Sequence, residues 1–88
     1  MTAPHVTLLS RPGCHLCDTA REVVAEVLRE HPDVTFEERS IVDDAELLDR
    51  YAEEIPVVLI DGRVHTIWRA DPERLRRALV AADARGLS

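Results

Sequence analysis

Between Ser10 and Leu16 the hydrophobic period of this chain changes from that of a strand to that of a helix, and its only two cysteines, Cys14 and Cys17, sit on the change. Upstream, Val6-Thr7-Leu8-Leu9 is a short apolar run closed by Ser10-Arg11-Pro12-Gly13, which predicts a buried strand followed by a loop. Downstream, Leu16, Ala20, Val23, Val24, Val27 and Leu28 recur at helical intervals and predict an amphipathic helix of about four turns, starting at about Cys14 and ending near His31-Pro32-Asp33.

The junction points to sulfur chemistry. A thiol attacks a disulfide only as its thiolate, so a working dithiol needs one cysteine whose pKa lies below the free value of roughly 8.5 and a second close enough to resolve the mixed disulfide. At the start of a helix, Cys14 faces the unpaired first-turn N–H groups and the positive end of the helix dipole, both of which favour negative charge on its sulfur. Cys17 lies one turn further in, on the same face and shielded. Cys14 is therefore assigned as the nucleophile and Cys17 as the resolving thiol. His15, between them, would favour the Cys14 thiolate if protonated, while the scattered His5, His31 and His65 look incidental.

The remaining elements follow from period and turn residues. Val34 to Arg39 begins as an alternation and ends in Glu37-Glu38-Arg39, polar enough for an edge strand. Asp43-Asp44 caps a short helix marked by Leu47, Leu48, Tyr51 and Ala52, and Ile55-Pro56 breaks it with extended backbone. Val57-Val58-Leu59-Ile60 and Val64 to Trp68 flank Asp61-Gly62, a tight-turn signal between antiparallel strands, with Trp68 half core and half cover. Asp71-Pro72-Glu73 opens a last helix that carries Leu75, Ala78, Leu79 and Ala82 before Gly86. The order is β-α-β-α-β-β-α. Its first unit requires parallel strands joined by a right-handed crossover, and its late hairpin makes the four-stranded sheet mixed.

Size and charge narrow the function. An 88-residue chain is expected to be one domain spanning residues 1–88. Its net charge of -6 disfavours nucleic acid and anionic membranes as partners. Met1-Thr2-Ala3-Pro4 does not open a signal peptide, and no run approaches transmembrane length, so the expected location is the cytoplasm. In a reducing compartment a closely spaced cysteine pair is catalytic or metal-binding more often than structural.

The strand, the Ser10-Arg11-Pro12-Gly13 loop and Cys14-x-x-Cys17 at the helix start, with Ile55-Pro56 before the third strand and Ile60-Asp61-Gly62-Arg63 after it, resemble the glutaredoxins of the thioredoxin-fold superfamily. The resemblance covers nearly the whole chain. It implies an α/β, thioredoxin-like fold, a mixed four-stranded sheet with helices on both faces, and a cis bond before Pro56. The activity it implies is dithiol reduction of protein or low-molecular-weight disulfides by a monomer, with no cofactor and no metal. Four residues are expected to contact substrate: Arg11, where many glutaredoxins have a glutathione-binding lysine; His15; Ile55, where the family pairs main-chain groups with an extended thiol substrate; and Pro56 after it, lying against the cysteine pair. Glutathione, another small thiol or a flavoprotein reductase would supply electrons.

The departures from that pattern carry their own expectations. Thr66-Ile67-Trp68-Arg69 stands where the family usually has a Gly-Gly pair, which predicts weak glutathione binding. His15-Leu16 replaces the usual Pro-Tyr, and the first strand carries no acid of the kind thioredoxin buries below its disulfide. Two other functions compete: soft-metal binding of Cu(I) or Zn through the thiolates, and a redox-inert binding module using the same groove. The chain ends on a capped helix and offers no histidine pair to complete a tetrahedral zinc site, which disfavours the first of these.

Overall fold

The computed structural model describes residues 3–87. Its elements run β1 (His5–Ser10), α1 (His15–Leu28), β2 (Thr35–Ser40), a 3-10 turn (Ile41–Asp43), α2 (Ala45–Tyr51), β3 (Val57–Ile60), β4 (Arg63–Ile67) and α3 (Pro72–Leu87). The order is the one expected, with most strand ends within a residue of the expected ones and larger or more telling differences at three places. α1 stops at Leu28, short of His31. Trp68 lies outside the last strand. α3 runs through Gly86 instead of ending before it.

The sheet order is β2-β1-β3-β4. β1 pairs in parallel with β2 from His5↔Thr35 to Ser10↔Ser40, as a β-α-β crossover demands, and antiparallel with β3 from Val6↔Ile60 to Leu9↔Val57. The β3–β4 hairpin turns on Asp61 and Gly62, whose φ values of +52° and +81° are both left-handed, the geometry that matches the twist of a two-residue hairpin. His5 fastens this turn: its N–H donates to Asp61 Oδ1 at 2.9 Å, and its carbonyl accepts from the Asp61 N–H at 2.8 Å. The hairpin also has an irregularity that alternation does not reveal. Val58 pairs with Thr66 but Leu59 pairs with Val64, so His65 is an extra residue in β4.

Alternation along β1 divides the core between the two faces of the sheet. Val6 and Leu8, with Val58 and Ile60, meet Ala20, Val24 and Val27 of α1 and Leu75 and Leu79 of α3. On the other face Leu9 and Val57 meet Ile41, Tyr51, Ile55 and Cys17, with Leu47 and Ala52 packed alongside. α1 and α3 therefore cover one face and α2 the other. Asp44 caps α2 by accepting from the Glu46 and Leu47 N–H groups, and Asp71 accepts from Glu73 and Arg74 at the start of α3.

β2 is the exposed edge strand, and Phe36 within it is 40% exposed while Val34, just before it, packs on the core. A polar strap holds it to α1. Arg21 donates to both carboxylate oxygens of Glu38 at 2.6 Å and to Asp18 at 2.8 Å, and Ser10 Oγ donates to Glu38 at 2.7 Å. The Arg21 guanidinium beside it holds the Glu38 carboxyl below its ordinary range. No helix among the described residues is long and apolar enough to cross a membrane.

Candidate active site

Gly13, at φ +76°, adopts the left-handed conformation that turns the chain from the β1 loop into α1. Cys14 follows as the N-cap, with extended φ and ψ of -95° and 111°. Its Sγ accepts the Cys17 N–H at 3.1 Å, taking the part that a serine or aspartate oxygen plays at an ordinary helix start. Its carbonyl accepts the first helical bond, from Asp18, at 3.2 Å. A free first-turn donor and the positive end of a 14-residue helix are thus both directed at one sulfur.

Cys17 is in a different environment although its sulfur is bonded to that of Cys14, with Cα atoms 5.2 Å apart. It is 0% exposed and sits in the apolar cluster of Leu9, Ile41, Tyr51, Ile55 and Val57, on which the half-buried Cys14 also packs. The pair is asymmetric: one sulfur is capped and within reach of solvent, the other is sealed.

Of the expected substrate contacts, Ile55 and Pro56 are brought to the cysteines. Ile55 belongs to the Cys17 cluster, Pro56 is buried, and the bond between them is cis. The main-chain N–H and C=O of Ile55 make no hydrogen bond with another described residue. Arg11, three residues before Cys14, and His15, the residue after it, are both exposed: Arg11 lies in the loop, and His15 is the first residue of α1. Among the described residues no group of three or more histidine, cysteine or acidic side chains is gathered to hold a metal.

Between the starts of α1 and α3 lies a groove of about 910 Å³ lined by Leu16, which stands between the two cysteines in the chain, and by Thr66, Trp68, Arg69, Asp71 and Arg74 among others. Three features of it were not legible in the sequence. Leu16, in phase with the α1 stripe, is 55% exposed. The extra residue in β4 leaves His65 and Thr66 together in the lining, with His65 Nε2 and Thr66 Oγ1 buried and without a partner among the described residues. Burial, and after it the positive charge of Arg74, lowers the His65 pKa below its ordinary value, against the opposing pull of Asp71.

Trp68 is the third. Its φ of +67° is left-handed, a conformation that costs an L-residue roughly 1–2 kcal/mol and is unusual for so large a side chain. Its N–H is shared between the Pro56 carbonyl at 2.8 Å and the Glu54 carbonyl at 3.2 Å, and its indole N–H donates to the Glu53 carbonyl at 2.9 Å. Trp68 is nevertheless 55% exposed, and it lines both this groove and a second one of about 740 Å³ over α2.

A parallel-then-antiparallel four-stranded sheet, one long helix starting at a C-x-x-C pair and a cis-proline beside that pair define a protein of the thioredoxin fold. The comparisons agree. The mitochondrial thioredoxin 3 of Saccharomyces cerevisiae, in its oxidised form, superposes with a TM-score of 0.69 over 92% of this chain and 80% of its own, at 14% identity, a likeness of fold alone. The family is narrower than the fold. Residues 5–80 match the glutaredoxin-like domain (DUF836), and the chain belongs to that family. A structural-genomics target protein from X. campestris is 38% identical, with a TM-score of 0.71 over 86% of this chain and 96% of that one. An uncharacterised protein of Mycobacterium tuberculosis is 39% identical over 83 residues, 86% of this chain and 82% of its own. A glutaredoxin-like protein of Dictyostelium discoideum is 29% identical over 76 residues, 81% of this chain and 70% of its own.

Proposed function

We propose that this protein is a dithiol thiol–disulfide oxidoreductase that reduces protein or small-molecule disulfides through Cys14, with Cys17 as the resolving thiol. The observation that carries the reading is the asymmetry of the pair: Cys14 caps a helix and accepts an N–H, while Cys17 is enclosed in the apolar cluster. In the reduced protein the Cys17 N–H and the helix start favour negative charge on Cys14, whereas a free cysteine holds only a few per cent thiolate at pH 7.

The Cys14 thiolate attacks one sulfur of the substrate disulfide, forming a Cys14–substrate bond and expelling the other sulfur, which takes up a proton. Cys17 loses its proton and attacks Cys14 Sγ, closing the Cys14–Cys17 bond and expelling the second substrate thiol. Two electrons pass from the dithiol to the substrate, and the Cys14–Cys17 disulfide is the oxidised product. The unpaired main-chain groups of Ile55 align the incoming segment as an added strand, with Pro56, Arg11 and His15 along its path. Glutathione, another low-molecular-weight thiol or a flavoprotein reductase restores the dithiol in the cytoplasm, and the protein acts as a monomer without a cofactor.

The test is trapping. Cys14→Ser should abolish disulfide reduction, while Cys17→Ala should leave Cys14 able to hold a stable mixed disulfide that mass spectrometry detects. A mixed disulfide formed through Cys17 in the Cys14→Ser protein, and none through Cys14, would overturn the assignment.

A further inference from the structure

We infer that Trp68 is a specificity-determining residue: with Leu16 it forms an apolar clamp that selects protein disulfides flanked by a large apolar side chain, with a carboxylate on the same segment meeting Arg69 and Arg74. This rests on the oxidoreductase reading above and names its substrate class.

Two large apolar residues, each 55% exposed, line one groove that reaches the first turn of the cysteine-bearing helix. Leu16 is two residues beyond Cys14. Trp68 is bonded through its main chain to the carbonyl of Pro56, the residue after the Ile55 that pairs with substrate. A segment laid along Ile55 with its disulfide at Cys14 passes between the two. The left-handed backbone of Trp68 and its three main-chain acceptors keep the indole there and out of the core. A small hydrophilic thiol covers neither wall, whereas an apolar side chain beside the substrate cysteine covers both.

Charge extends the match. The chain carries a net charge of -6, yet Arg69 and Arg74 line this groove, and among the described residues neither pairs with a carboxylate. Asp71, the acid beside them, uses its Oδ1 to cap α3. An acidic residue on the bound segment complements the two guanidinium groups.

The test uses the full chain in its dithiol form, mixed under single-turnover conditions with disulfide-linked dimers of short peptides. The peptides carry Leu or Ser next to the cysteine and Glu or Lys beyond it, and hydroxyethyl disulfide serves as the small substrate. The Leu peptide should be preferred over the Ser peptide by about tenfold, mainly through a lower half-saturating concentration. The Glu peptide should be preferred over the Lys peptide, by a margin that narrows as salt is added. In Trp68→Gly, which suits the left-handed backbone, the Leu-over-Ser preference should disappear; Trp68→Phe, which keeps an aromatic face, should retain most of it. Equal losses on both peptides in Trp68→Gly would mark a purely structural residue and overturn the inference. So would reduction of hydroxyethyl disulfide by the natural chain with no Leu-over-Ser preference, and an absent Glu preference would overturn the part given to Arg69 and Arg74. Failure of the natural dithiol chain to reduce any disulfide, hydroxyethyl disulfide included, would instead defeat the oxidoreductase reading itself.

Discussion

Replacing the resolving cysteine to trap an intermediate is a routine choice between serine and alanine, and here the two should differ. Cys17 is 0% exposed among Leu9, Ile41, Tyr51, Ile55 and Val57. Alanine at this position removes one heavy atom from a packed cluster, a loss on the scale of about 1 kcal/mol. Serine keeps the volume more nearly but places a hydroxyl where the neighbouring side chains are apolar, and an unsatisfied buried hydroxyl costs about 1–3 kcal/mol. Taking the middle of that range, about 2 kcal/mol, Cys17→Ser should be the less stable variant by about 1 kcal/mol. For an 88-residue chain the unfolding entropy is about 185 cal/mol/K, so that gap lowers Tm by about 5 °C. The reference must be the reduced natural chain, because closing a loop of sequence separation 3 adds about 2 kcal/mol of its own to the oxidised one. Thermal unfolding by circular dichroism, with excess reductant in every sample, measures the comparison. Melting of the two variants within about 2 °C of each other would refute the reasoning, since it would mean that the hydroxyl finds a main-chain acceptor inside the helix.

Two further outcomes concern pH. The Glu38 carboxyl is held below its ordinary value of 4.5 by Arg21, so its contribution is present above that pH and is lost as pH falls through the folded value. Glu38→Gln should cost about 0.5–1 kcal/mol at pH 7 in denaturant melts, with a gap that closes toward pH 3; a gap independent of pH would show that the strap works through shape alone. His65 is held below its ordinary 6.5 by burial and Arg74, so the unfolded chain takes up its proton first and stability falls as pH drops below 6.5. His65→Gln should flatten the stability profile between pH 7 and 5, and an unchanged slope would place the titrating group elsewhere.

Most of the frame could be read from residue order, because each element carries a local signal that its tertiary setting does not override. The strand-to-helix change of period at Gly13, the aspartates that cap α2 and α3, and the Asp61-Gly62 turn are all short-range chemistry, and each lies where the sequence places it. The Cys14 N-cap follows from the same kind of signal. The groove was not legible, because it depends on where elements end relative to one another. Leu16 is in phase with Ala20, Val24 and Val27, yet it sits in the first turn, where it lines the groove instead of joining their cluster. A single extra residue in β4 decides which side chains reach the groove, and alternation read as an unbroken run hides it. His5, scattered and apparently idle in the sequence, ties β1 to the hairpin turn and to β2, the latter through an Nδ1 contact with Thr35 Oγ1 at 2.6 Å. These pairings have sequence separations of 30 or more, beyond any local pattern.

The exposed indole has a consequence for how the molecule can be watched. Trp68 is the chain's single tryptophan, so all tryptophan emission originates at the groove between the starts of α1 and α3. A half-exposed indole emits at longer wavelength than a covered one. Occupation of the groove should therefore shift the whole tryptophan spectrum to the blue, with no label attached and no second indole to subtract.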